Sequence, residues 1–221
     1  MKWTWMAPVA IAAALTVGCN KDHNGNGTVG TSGRTDSGVS ASDRDFVQDV
    51  SQMNADEIDL SRLAAERAAS PDVKQFAQKL VDEHTAAGEK LSGVATQNGL
   101  ETKTGLDDSH RKLHDDLVAK QGVDFDKSYL DAMVDDHENM VDKLESRIDK
   151  TTIERRSGDA ANAPINPDTK AKVDMKGQSV LPEKSDNEVT ARINAWAADA
   201  YPETYAHLQQ AKALEDTLKK Q

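Results

Sequence analysis

Along the chain, apolar residues recur at alternating spacings of three and four, the mark of helices that bury one face. Phe46, Val50, Met53, Leu60 and Ala64 predict a helix over Asp43–Ala69, with Ser42 as N-cap. Val73, Phe76, Leu80, Ala87, Leu91 and Val94 predict a second from Pro71 to about Asn98. Ser70 caps it, Pro71 opens its first turn and Gly99 stops it. So short a turn between two helices of similar length makes them an antiparallel hairpin.

Leu106, Leu113 and Leu117 mark a shorter crossover helix, about Asp107–Gln121, ended by Gly122. Another long helix starts after Asp124 and runs to about Arg155 with Tyr129, Met133, Met140, Leu144 and Ile148 in register. Residues 157–186 hold Pro164, Pro167 and Pro182 with Gly158 and Gly177, and read as a mobile loop. The last helix, Asn187–Lys219, carries Trp196, Ala200, Ala211, Leu214 and Leu218, and Pro202 should kink or break it. The expected fold class is all-α: a ferritin-like four-helix bundle with a short crossover helix and a Pro-kinked last helix.

One polar residue interrupts each long stripe: Glu57, His84, His137 and His207, each at a position where the spacing calls for an apolar side chain. Glu57 precedes Ser70 by thirteen residues and His84 follows Pro71 by thirteen. At ~1.5 Å per residue both stand ~20 Å from the same turn and should face each other. His137 is near the middle of its helix; the long loop leaves His207 without a register. A lone His in a stripe is most often a hydrogen-bonded core residue, and a lone Glu a stripe-border residue reaching water. Four such residues in four helices point instead to a metal site, because a buried carboxylate beside unpaired imidazoles is unfavourable unless something binds them.

Glu203, one turn before His207, is a ligand in reserve, whereas Asp82, Glu83, Asp135, Asp136 and Glu138 read as solvated flanks. Met53, Met133 and Met140 read as core, although a thioether near imidazoles would suit copper. His110 and His114, four apart on the crossover helix, could chelate but fit a plain surface pair. Nitrogen-rich ligation favours iron, copper, zinc or manganese over calcium and magnesium, with affinity expected to fall as pH drops through about 6.5.

Composition narrows the classes. The 221 residues suit one domain with appendages. With 27 Lys and Arg against 38 Asp and Glu, the net charge of -11 disfavours nucleic acid as a partner. Aromatic residues at 4% suit helices better than sheets, and one Cys excludes an internal disulfide framework or a Cys-rich metal site. The Ser-His-Asp hydrolases are disfavoured too, as no Gly-x-Ser-x-Gly elbow occurs.

That Cys has its own meaning. Lys2, an apolar run from Val9 to Val17 and then Gly18-Cys19 have the layout of a signal peptide, too short to span a bilayer permanently. Cys19 resembles the lipidated residue of a bacterial lipobox, although Thr16 stands where Leu is usual. Residues 1–19 are thus expected to be a lipoprotein-type signal, 20–42 a flexible Gly/Ser-rich tether that includes His23, and 43–221 the bundle. Asn20 after the Cys leans toward an outer-membrane lipoprotein facing the periplasm, so the expected partner is a membrane, reached through the lipid.

Phe46–Ala69, the Asp82-Glu83-His84-Thr85 run, Phe125–Leu130 leading to His137, and Tyr201-Pro202-Glu203 leading to His207 resemble, in that order, a bacterial envelope family, domain of unknown function 4142. The resemblance implies a ferritin-like bundle in an exported protein whose activity is unassigned. Di-iron ferritin-like proteins place a Glu three residues before the His on two helices; here Val81 and Thr204 occupy those positions, which favours a His-rich site with fewer carboxylates. Two classes follow: an envelope metal-binding protein, with redox or stress-related work, and a structural or stress-related lipoprotein with neither metal nor catalysis.

Overall fold

The computed structural model describes residues 38–150 and 180–220. The signal segment, Cys19, most of the tether and residues 151–179 of the chain lie outside them. Five helices make up the described part: α1 (Ala41–Arg67), α2 (Pro71–Gln97), α3 (Asp108–Val118), α4 (Gly122–Glu145) and α5 (Glu188–Leu218). The class is all-α, with no strand among the described residues and a single antiparallel bridge between Ile148 and Pro182. No described helix is long and apolar enough to cross a membrane.

α1 starts two residues earlier than its stripe suggests, because Ser40, not Ser42, caps it. The Ser40 hydroxyl accepts from the Asp43 N–H at 3.0 Å while the Asp43 carboxylate accepts from Ser40, the reciprocal box that closes a helix N-terminus. Burial would raise the Asp43 pKa, but hydrogen bonds from Ser40, Thr190 and Arg147, and the Arg147 charge, outweigh it and hold the group below the usual carboxylate range. Asp43 thereby ties together the start of α1, the start of α5 and the chain just past α4. Arg147 completes this end by donating to the Ser42 carbonyl at 2.7 Å and lying over the Phe46 ring.

α2 follows after three residues. The Ser70 side chain makes no cap bond; the Asp126 carboxylate of α4 takes the Ala69 and Ser70 N–H groups instead, at 2.8 and 2.7 Å. At the far end Gly99 turns out of the helix at φ +66°, a left-handed conformation that glycine adopts without strain.

α3 is shorter than expected and Gly122, at φ +59°, belongs to the first turn of α4. α4 in turn ends about ten residues before Arg155. Past Glu145 the chain makes a turn and then pairs with residues 181–183: Asp149 donates to Leu181 and Glu183 to Arg147, each at 2.9 Å, and these bonds compete with another helical turn. They also hold residues 180–183, the close of the expected loop, where Val180 is buried. α5 runs unbroken through Pro202, so that residue does not divide it.

α1 packs on α2 and α4 on α5, with α1 also meeting α4 and α2 meeting α5. Two separate apolar clusters fill the interior. One holds Phe46, Val50, Leu91, Leu144, Trp196 and Tyr201; the other holds Leu60, Phe76, Leu80, Phe125, Tyr129 and Leu218. α1 and α5 run from the first cluster to the second, and α2 and α4 run back. The connection from Leu100 in the first to Leu117 in the second therefore travels the length of the molecule, carrying α3 along α1 and α4. Between the clusters lies a polar layer.

Candidate metal centre

Glu57, His84, His137 and His207 form that layer, each buried to 95% or more. The imidazoles of α2, α4 and α5 make a triangle with ring centroids 5.3, 5.4 and 5.5 Å apart. One nitrogen from each falls within 4.8 Å of the other two. Glu57 of α1 flanks the trio, with its carboxylate 3.0 Å from His84 Nε2 and 3.5 Å from His137 Nδ1. Counting from the α1–α2 turn places Glu57 opposite His84, and the turn of three residues makes that count reliable; His207 arrives at the same level on α5.

Each imidazole has one nitrogen held and one left over. His84 Nδ1 donates to the Asn54 side-chain oxygen at 3.0 Å, His137 Nδ1 to the Met133 carbonyl at 2.9 Å, and His207 Nε2 to the Glu83 carboxylate at 2.5 Å. These partners accept, so the held nitrogens carry the protons. His84 Nε2, His137 Nε2 and His207 Nδ1 then bear lone pairs, and none has a hydrogen-bond partner; nor does either Glu57 oxygen. The close approaches of Glu57 to the rings are at ion-pair distance without hydrogen-bond geometry. Five ligand-type atoms are thus desolvated and unsatisfied in one layer.

Burial sets the protonation. It pushes the His84 pKa well below the ordinary imidazole value, helped by the His137 and His207 rings. It takes His137 down to about 3 and also lowers His207, against the Glu83 hydrogen bond. The same desolvation, with the Asp136 charge, raises Glu57 well above the usual carboxylic range. The same burial therefore favours the uncharged form of all three imidazoles and of the Glu57 carboxyl.

Glu203 does not join this layer. It stands with Glu83 around His207, their ligand atoms within 4.8 Å of one another. Glu83, expected on a solvated flank, instead orients His207, and Asn54 orients His84; both sit on helix shoulders, where the stripe alone says nothing of a neighbour. Asn54 fits because position 88 is Gly: a Cβ there would lie 2.7 Å from the Asn54 amide nitrogen.

Asp136 was also expected in solvent. It lies 3.3 Å from His110 Nε2, while His110 Nδ1 is 2.9 Å from Asp107 and 3.3 Å from Asp56. His114 stands apart beside Asp115, so the two crossover histidines form no chelating pair. Glu138 does pair at the surface, with Lys212. Of the methionines, Met140 lines a pocket with His84 and His207, Met133 sulfur takes the Ser61 hydroxyl at 3.8 Å, and Met53 packs on the Phe46 cluster.

A family model described as Domain of unknown function (DUF4142) matches residues 30–155, a span that takes in α1 to α4 with Glu57, His84 and His137 and ends before α5. No curated protein and no solved structure matches the chain.

Proposed function

The chain belongs to the family described as domain of unknown function 4142, and we propose that it is an exported, lipid-anchored, ferritin-like four-helix bundle that holds one transition-metal ion between Glu57, His84, His137 and His207. The observation that carries this reading is the set of five unsatisfied ligand atoms, with the opposite nitrogen of every imidazole held by an acceptor. Outer partners of that kind fix the tautomer and aim the lone pair in metal sites. The up-down-down-up helix order with one long connection supports the ferritin-like assignment.

Three imidazoles and one carboxylate suit iron, copper, zinc or manganese. A bound ion of this class supplies Lewis acidity or, for iron, copper and manganese, one-electron chemistry, which fits redox or stress-related work in the envelope. The chain's own part is to exclude water with the apolar clusters on either side, to hold each ring by Asn54, the Met133 carbonyl and Glu83, and to release the Glu57 proton.

The test is metal analysis of untagged protein beside a His84→Ala/His137→Ala variant. The wild type should retain metal and melt higher when metal is added, whereas the variant should lose both properties and stay helical. A second reading, a structural lipoprotein without metal, draws on the 3.0 Å separation of Glu57 and His84, across which a protonated Glu57 could share its proton. It requires that no metal be retained, that added metal have no effect and that His84→Leu or His137→Leu leave the fold intact or stabilise it. Cys19→Ser should abolish acylation and release the protein from membranes; unmodified Cys19 in soluble wild-type protein would overturn the anchor.

A further inference from the structure

A layer buried this deeply needs a way in. Besides the trio facing the layer, Glu83, Glu203 and His207 offer ligand atoms within 4.8 Å of one another, and here the two carboxylates are only half buried while His207 is 2% exposed. Their pocket is lined also by His84, and both imidazoles are more than nine-tenths buried, each with a nitrogen that has no hydrogen-bond partner. His207 thus has two faces, with Nε2 toward Glu83 and Nδ1 without a hydrogen bond.

We propose that Glu83, Glu203 and the Nε2 face of His207 form an outer cation-binding station through which a divalent transition-metal ion reaches the buried layer. The inference rests on the buried metal centre proposed above. Two carboxylates at the pocket raise the local concentration of cations. A neutral imidazole has one lone pair, so His207 serves the station or the buried layer, one at a time, and occupation is sequential. Lys79 is the opposing group, its ammonium 3.7 Å from the same Glu83 oxygen and also bound to Gln210. An arriving divalent ion has to outbid it.

A station on the path changes how fast the ion arrives and leaves by the same factor, whereas a ligand of the final site changes the equilibrium. The probe is Co2+ mixed rapidly with metal-free full-length protein and followed by its visible absorption, with release measured by adding excess chelator. In Glu203→Gln, loading and release should both slow about tenfold, their ratio unchanged; Lys79→Gln should speed loading. Loading at the wild-type rate in Glu203→Gln overturns the station. So does a change in the ratio alone, which would make Glu203 a ligand of the final ion.

If wild-type protein takes up no Co2+ tightly, the buried-centre reading fails on its own. The station is then read from weak Co2+ binding in the same titration: weak binding lost in Glu203→Gln supports it, and weak binding absent from the wild type, or retained in that variant, overturns it.

Discussion

Gly88 makes room for Asn54: one turn beyond His84 on α2, it is the position where any side chain would strike the amide that holds the His84 ring, with a Cβ 2.7 Å from Asn54 Nδ2. Gly88→Ala therefore separates stability from binding. Alanine favours the helix by about 1 kcal/mol over glycine, which offsets the cost of the lost Asn54–His84 hydrogen bond, so melting temperature should change little. Metal affinity, measured by chelator competition, should fall about 10- to 100-fold as His84 loses its outer partner. Unchanged affinity would mean that Asn54 does not orient the ring.

Glu57 gives the pH dependence of the proposed centre, replacing the imidazole limit near 6.5 expected from sequence. Burial lowers the pKa of all three imidazoles, that of His137 to about 3, so protonation of the rings sets in below that pH. Glu57, raised well above its usual range by burial, holds a proton that an ion must displace. Calorimetry in buffers of different ionisation enthalpy should find more protons released per ion in the wild type than in Glu57→Gln, with the difference shrinking as pH rises.

For folding without metal the signs are opposed. His137 binds its proton more weakly folded than unfolded, so stability falls as pH drops from about 6.5 toward about 3; Glu57 binds its proton more tightly folded, so its contribution is lost as pH rises through its elevated pKa. Acid melts of metal-free protein should show the first trend, and His137→Leu should flatten it.

His110 works in the other direction. Its hydrogen bond to Asp136, then that to Asp107, raise its pKa to about 9 against the opposing effect of burial. The stabilisation is complete below its unfolded value near 6.5 and is lost as pH climbs toward about 9. After allowance for solvent screening it amounts to about 1–2 kcal/mol. Denaturant midpoints should decline over that range in the wild type and not in His110→Gln.

Asp126 closes the α1–α2 turn with two charge-assisted bonds, so Asp126→Ala should cost about 2–3 kcal/mol in urea unfolding. A loss well below 1 kcal/mol would show that water replaces the carboxylate.

The sequence makes the stripes and their interruptions legible because both are properties of a single helix: Phe46 to Ala64 is one face whatever packs on it, and Glu57 stands out within it. Thirteen residues either side of a tight turn even fix a contact. Asn54, Glu83 and Asp136 stay hidden, since their roles depend on how far a neighbouring helix is rotated, which no single-helix period encodes. The end of α4 is hidden for a related reason. Ile148 continues the stripe, but the chain there pairs with residues more than thirty positions away.

The polar layer between two greasy halves also acts as a notch. Slide α1 along α2 by one turn, ~5.4 Å, toward the α1–α2 turn, and the Glu57 carboxylate meets Leu80 instead of His84. A wholly apolar stripe would tolerate that slip; this one does not, because every displacement strands a carboxyl or an imidazole among hydrocarbons. The four helices are thus keyed along their length as well as around it, with or without an ion, and leucine at all four positions would leave them free to settle at several offsets.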